Sequence, residues 1–136
     1  KKEEKANLFN ISRLNLFSEQ VKEHKKQLRE LLLEIKKQGK SIAAVSAPAK
    51  GMTLLNYCEI DSNILDFITE KSSLKIGKYS PGAHIPIFSD NKLFEKKPDY
   101  ALLLAWNFAD EIIENLSEFK NSGGKFIIPI PKPKII

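Results

Sequence analysis

Tyr100–Trp106, read as Tyr-Ala-Leu-Leu-Leu-Ala-Trp, shows no polar alternation over seven positions. A strand with one wet face alternates polar and apolar residues. A strand with no alternation is covered on both faces, as the central strands of parallel sheets are. The segments around it switch between short apolar runs and helical spacing. Ser41–Val45 is a small-residue apolar run, followed by the turn Ser46-Ala47-Pro48-Ala49-Lys50-Gly51 and by Met52–Cys58 with helical spacing at Leu54, Leu55 and Cys58. Ile64–Thr69 reads as a second strand ending at Glu70, Ile85–Phe88 as a short strand, and Asp90–Phe94 as a short helix. Asn107 is placed to cap a further helix whose buried stripe is Phe108, Ile112, Ile113, Leu116 and Phe119. Gly123-Gly124 ends that helix, and Lys125–Ile128 reads as the last strand. Pro129, Pro131 and Pro133 forbid continued ladder pairing, so this strand is an edge or ends there. Strands alternating with helices around apolar central strands predict an open, largely parallel α/β sheet.

Ahead of the sheet, Ser18 is placed to cap a helix, with Glu19 near the positive end of its dipole. Val21, Leu28, Leu32 and Ile35 fall on one face of that helix, and Gly39 stops it. Residues 1–17 carry Leu8, Phe9, Ile11, Leu14, Leu16 and Phe17 without a clear period. They read as a linker from a missing upstream domain, with residues 18–136 forming the one domain of this 136-residue chain. Residues 1–40 hold 11 Lys/Arg against 6 Asp/Glu, while residues 41–136 hold 11 of each. The basicity is thus confined to the leading helix, where it reads as a solvated face rather than as a nucleic-acid interface. The apolar fraction of 42% is too high for disorder. No stretch approaches the roughly 20 apolar residues that span a membrane. A single cysteine, Cys58, excludes an internal disulfide framework and suits the reducing cytoplasm. It reads as a small core residue. One Cys and two His do not assemble a structural zinc site.

In open α/β sheets, ligands collect at the carboxyl ends of strands near the point where strand order reverses. That rule selects Ala47–Gly51, Glu70–His84 and Trp106-Asn107. In Ala47-Pro48-Ala49-Lys50-Gly51, small side chains admit a close ligand, and the helix start and Lys50 favour an anion. The same residues also suit an ordinary strand-to-helix turn. Glu70 lies about 19 residues past Gly51, near the roughly 20-residue spacing at which an acid meets a ribose hydroxyl, and is otherwise a surface carboxylate. Lys78, Tyr79 and His84 give the loop charge and aromatic surface, and His84 is a phosphate donor, a weak candidate for a general base, or structural. Trp106 and Asn107 can stack on and hydrogen-bond a ligand, or pack and cap. His24 is expected to be solvated. Neither a glycine-rich cofactor loop nor a paired nucleophile and base is present in the sequence.

Four segments go further: "GKSIAAVSAPAKGMTLLNYC" (Gly39–Cys58), "LKIGKYSPGAHIPI" (Leu74–Ile87), "PDYALLLAWNFADEII" (Pro98–Ile113) and "GGKFIIPIPKP" (Gly123–Pro133). In this order they resemble the C-terminal domain of sugar-nucleotide C-methyltransferases, over nearly the whole length from Ser18 onward. The resemblance implies a Rossmann-like three-layer sandwich of about five mostly parallel strands behind a long N-terminal helix. It implies a chain that contributes pyrophosphate and nucleotide contacts for a nucleoside-diphosphate 4-keto-deoxysugar, with Ala47–Gly51, Asn56, Glu70, Lys78, Tyr79, His84, Trp106 and Asn107 as substrate-side candidates. S-adenosylmethionine would be held by the upstream methyltransferase domain and zinc by a still earlier segment. The residues 1–136 would hold neither and would be inactive alone. Met52 stands where the resemblance leads one to expect a polar residue. The competing expectation is a self-contained nucleotide- or coenzyme-A-binding regulatory module without catalysis, and a third is a domain that only buttresses its neighbour.

Overall fold

A computed structural model describes residues 2–136, with side chains described for Leu16 and from Ser18 onward. The chain opens with helix α1 (Lys2–Lys37) and continues through β1 (Ile42–Val45), α2 (Ala49–Tyr57), β2 (Ile68–Glu70), β3 (Ile87–Ser89), α3 (Asn91–Lys96) and β4 (Tyr100–Leu103). A single 3-10 turn (Trp106–Phe108) leads into α4 (Ala109–Asn115) and α5 (Ser117–Asn121), and β5 (Lys125–Ile128) and β6 (Lys134–Ile135) close it. The six strands lie in the order β3-β2-β1-β4-β5-β6, with only β6 antiparallel to its neighbour.

The apolar runs sort into two layers because successive strand residues point to opposite faces. Ile42, Ala44, Tyr100, Leu102 and Ile127 face α1 and α2, where Leu28, Leu32, Ile35, Leu54, Leu55 and Cys58 cover them. Ala43, Val45, Ala101, Leu103 and Phe126 face the other way, under Leu93 of α3, Ala109 of α4, and Leu116 and Phe119 at α5. Each fully buried Leu or Ile here stabilises the fold by about 1.5–3 kcal/mol. The result is a Rossmann-like sandwich with helices on both faces of a mostly parallel sheet. Cys58 is fully buried, as its spacing predicted, and burial raises its thiol pKa above the ordinary value of 9.0 against the opposing pull of Lys25 and Arg29.

Several boundaries differ from the sequence reading. α1 runs unbroken through Ser18, so Ser18 caps nothing. The apolar side chains expected to lack a seat at residues 8–15 and 17 lie outside those described, while Leu16 is exposed. His24 is half-buried rather than free in solvent: its Nε2 meets the carbonyl of Pro129, which can only accept, so that nitrogen carries the proton. Ile64 and Leu65 are buried, but they sit in a turn in which their N–H groups bond the Asp61 carbonyl, and β2 starts only at Ile68. Ile85 likewise precedes β3, its N–H held by Ser80 Oγ at 2.9 Å. The single helix expected after Asn107 is broken at Leu116, and Phe108 is 61% exposed rather than part of the buried stripe. α4 takes Phe108, not Asn107, as its N-cap residue. The prolines do end β5 at Ile128, but the chain returns as β6, so β5 is not an edge. No helix among the described residues is long and apolar enough to cross a membrane.

Candidate functional site

β1 and β4 are neighbours, and the connections leaving them turn in opposite directions across the sheet. Their carboxyl ends, Val45 and Leu103, therefore mark the crevice at which such sheets take ligands. The backbone there is unusual. Ser46, directly after β1, has φ 61°, a left-handed conformation that costs a non-glycine residue of order 1 kcal/mol or more. Its N–H donates to the Thr69 carbonyl at 2.7 Å, which fixes it to the neighbouring strand.

The residue after it is clamped from both sides. Glu70 Oε2 accepts from the Ala47 N–H at 2.7 Å, and Lys75 Nζ donates to the Ala47 carbonyl at 2.7 Å. Glu70 Oε1 accepts from the N–H groups of Lys71 and Ser72 at 3.0 and 3.3 Å. Glu70 thus spends its carboxylate on holding the β1–α2 turn to the start of the β2–β3 loop. Lys75 takes the matching role on the acceptor side of the same residue, and the sequence offered no signal for it beyond charge. α2 begins at Ala49, so Gly51 lies inside its first turn rather than opening it. A Cβ at Gly51 would come 2.7 Å from Leu104 Cβ, so the glycine lets α2 lie directly on the end of β4. At the other end of α2, Arg29 Nη1 donates to the carbonyls of Cys58 and Glu59 at 2.8 and 2.6 Å. A cation on these terminal carbonyls complements the helix dipole.

Two of the hollows that Phe108 borders open at this crevice. The first, about 270 Å³, is formed by Pro48, Ala49 and Lys50 at the start of α2 and by Leu104–Phe108 after β4. Here the first N–H groups of α2, which have no acceptor within the helix, share the hollow with the exposed Lys50. The turn after β4 supplies Trp106 and Asn107. The second hollow, about 220 Å³, lies on the α4 face. Val45, Ile112 and Leu116 give it an apolar lining, and Ser46, Glu70, Lys71, Asp90, Glu111 and Asn115 bring polar groups to it. Among the described residues, the buried hydroxyls Ser46 Oγ and Thr69 Oγ1 have no hydrogen-bond partner. Thr69 is fully buried and pairs in register with Val45, which puts its side chain on this same face.

The residues singled out in the sequence therefore fall into three places. Pro48, Ala49, Lys50, Trp106 and Asn107 line one hollow. Ala47, Glu70 and Gly51 build the turn behind it. Asn56, Lys78, Tyr79 and His84 are exposed and lie elsewhere. Asn56, near the end of α2, packs at Gly82, where a Cβ would come 2.6 Å from its Oδ1. That is about 10 Å along the helix from Ala49. Tyr79 bridges to Pro86 beside the start of β3, and His84, with φ 53°, closes the same turn through its N–H to the Ser80 carbonyl. Met52 packs partly buried against the α1/α2 core rather than facing the hollow. Ser46 and Thr69 were not singled out as binding groups, since neither a positive φ nor an unpaired hydroxyl is legible in a sequence.

The β1–α2 turn is closed to a ligand at two of its points. Its first N–H is bound to Glu70, and the space at its one glycine is filled by Leu104. Among the described residues, no three His, Cys, Asp or Glu side chains come together to hold a metal ion.

Comparison with known proteins agrees with this architecture. The description "C-methyltransferase C-terminal domain" matches residues 1–131. The C-methyltransferase NovU of Streptomyces niveus is 46% identical over 110 residues, which cover 81% of this chain and 26% of that protein. The chain thus corresponds to about a quarter of the relative's length. A match that takes in β1 to β5, both crevice turns and α1 is a match to the whole sandwich, and the chain belongs to the family of C-methyltransferase C-terminal domains.

Proposed function

We propose that this chain is the substrate-side domain of an S-adenosylmethionine-dependent C-methyltransferase acting on a nucleoside-diphosphate 4-keto-deoxysugar. The observation that carries this reading is the family match over residues 1–131. In such an enzyme, S-adenosylmethionine supplies the methyl group from an upstream domain, with residues 1–17 leading from that domain into residues 18–136. The part played by this chain is to bind and orient. Lys50 and the first N–H groups of α2 attract the pyrophosphate, Trp106 offers a ring face, and Asn107 offers an amide. Glu70 and Lys75 hold the turn that aims these groups.

A ligand gripped from one side loses contact area, while the cost of immobilising it remains. The nucleotide sugar should therefore bind the isolated chain weakly, at a Kd of roughly 0.1 mM or poorer. The full-length protein should bind it at least about tenfold more tightly, a difference of ~1.4 kcal/mol. Calorimetry on both forms checks this. Equal affinities would overturn the shared-cleft reading and favour a self-contained nucleotide-binding module.

A further inference from the structure

α1 is much longer than the part of this domain that it covers. Its 36 residues span about 54 Å, whereas the four-residue strands β1 and β4 beneath it span about 13 Å. Leu28, Leu32 and Ile35 are the residues of α1 that enter the core, with Leu31 packed against it. Toward the N-terminus, the first described side chains bonded to the rest of the fold are His24, at the Pro129 carbonyl, and Lys25, paired with Glu59. Ahead of them Leu16, Ser18, Glu19 and Gln20 are exposed. The helix continues for roughly 33 Å before these first described contacts.

That stretch is not composed to face water. Six of the ten residues from 8 to 17 are large and apolar: Leu8, Phe9, Ile11, Leu14, Leu16 and Phe17. In the helix that the chain forms here, positions 14, 17 and 21 continue the line of 28, 32 and 35 by steps of three, four and seven. The line that seats α1 on the sheet thus runs on past its own domain. Positions 8, 9, 11 and 16 fall at other angles around the axis, which is why no single period is legible there. A helix with large apolar residues all round is a buried helix. A second copy of α1 would meet only one stripe of it. Its stability comes from packing against whatever encloses it. The family points to what that is. A domain described as C-terminal follows other parts of its protein, and the match takes in only 26% of the relative described above.

We propose that α1 is a strut shared by two domains. Residues 24–37 seat it on this sheet, and residues 8–17 are enclosed by an apolar groove of the domain that precedes this one. The two domains are then held at a fixed spacing rather than joined by a flexible linker. The proposal rests on the reading under Proposed function for the presence of a preceding domain, and not for what either domain binds.

Hydrogen exchange of the full-length protein, read by mass spectrometry, tests this. Amides of residues 8–17 should exchange at least about 100-fold more slowly than in an unstructured peptide, as packed helices do and fraying ends do not. Phe17→Glu puts a charge into the enclosed stretch and should cut that protection about tenfold or more, while Gln20→Ala, at an exposed position, should leave it intact. A Gly-Ser pair inserted between Gln20 and Val21 interrupts the strut. Small-angle scattering should then show a wider spread of distances between the two domains, with residues 8–17 still protected. Exchange of residues 8–17 at the rate of an unstructured peptide in the unaltered protein would overturn the proposal, and so would scattering that the insertion leaves unchanged. Protection that appears only as concentration rises, with a doubled mass in sedimentation, would place a second copy on this stretch and overturn it too. Protection in a protein that transfers no methyl group to any nucleotide sugar would leave the strut standing and overturn the reading under Proposed function.

Discussion

The two hollows beside Phe108 start from neighbouring strand ends yet have opposite chemistry. On one side, α2 presents its unsatisfied N–H groups together with Lys50. On the other, Asp90 and Glu111, near the starts of α3 and α4, line a hollow with the apolar side chains of Val45, Ile112 and Leu116. Strand order reverses between β1 and β4, so the two turns diverge and each hollow is finished by different helices. At an effective dielectric near 20, two unit charges about 6 Å apart interact by roughly 3 kcal/mol. A phosphate therefore has a clear preference between two openings that share one phenyl ring.

The largest test of this contrast strikes the side built on α2. Gly51→Val places a branched side chain where even a Cβ would lie 2.7 Å from Leu104 Cβ. Overpacking of this kind costs about 2–3 kcal/mol, and α2 can relieve it only by lifting from the end of β4. Urea denaturation should register the loss of stability, and pyrophosphate should no longer shift Lys50. Ile112 and Leu116, on the other face of the sheet, should keep their wild-type chemical shifts. A variant as stable as wild type with its pyrophosphate response intact would show that the start of α2 does not depend on this close approach.

A smaller effect of opposite sign is expected at Thr69. Its hydroxyl is fully buried and unpaired among the described residues, whereas the backbone of the same strand is satisfied. Thr69→Val keeps the shape and removes the polar group, so the ligand-free chain should gain about 1 kcal/mol of stability. Thermal unfolding measures the gain. A variant destabilised by about 1 kcal/mol or more would mean that the hydroxyl is bonded within the protein.

The sequence disclosed the sheet more readily than the site, for a physical reason. Tyr100–Leu104 and Ile42–Val45 are apolar throughout because both their faces are covered, and that condition writes itself into every residue of the strand. The small residues of the β1–α2 turn and the residues Trp106-Asn107 were legible by the strand-end rule, and they do share one hollow. What lay hidden depends on partners remote in sequence. Glu70 carries the right charge at the right spacing, but its oxygens face the N–H of Ala47, 23 residues away, and of its own neighbours. Gly51 looked like a ligand-facing glycine, and only Leu104 shows that it is a packing glycine. β6 was missed because three prolines argue against strand, yet Lys134 and Ile135 lie beyond the last of them and pair with β5. The left-handed φ of Ser46 has no sequence signature, so the acidic hollow was not legible at all.

The finest distinction between the two hollows is their response to salt, and Lys50 isolates it. Its side chain is exposed, so Lys50→Ala should change stability by no more than about 0.5 kcal/mol. Any effect on binding is then an effect on the ligand rather than on the fold. An exposed charge acts through water, and its reach falls from about 10 Å at 0.1 M salt to about 3 Å at 1 M. The pyrophosphate response at Ala49 and Lys50 should therefore fade as salt is raised. In Lys50→Ala it should begin weaker and fade less, because the N–H groups of α2 remain while the mobile cation is gone. Salt titrations of the wild type and of Lys50→Ala in parallel measure this directly. Equal salt dependence in the two would mean that Lys50 takes no part in holding the anion, and the charged side of the comparison would have to be abandoned.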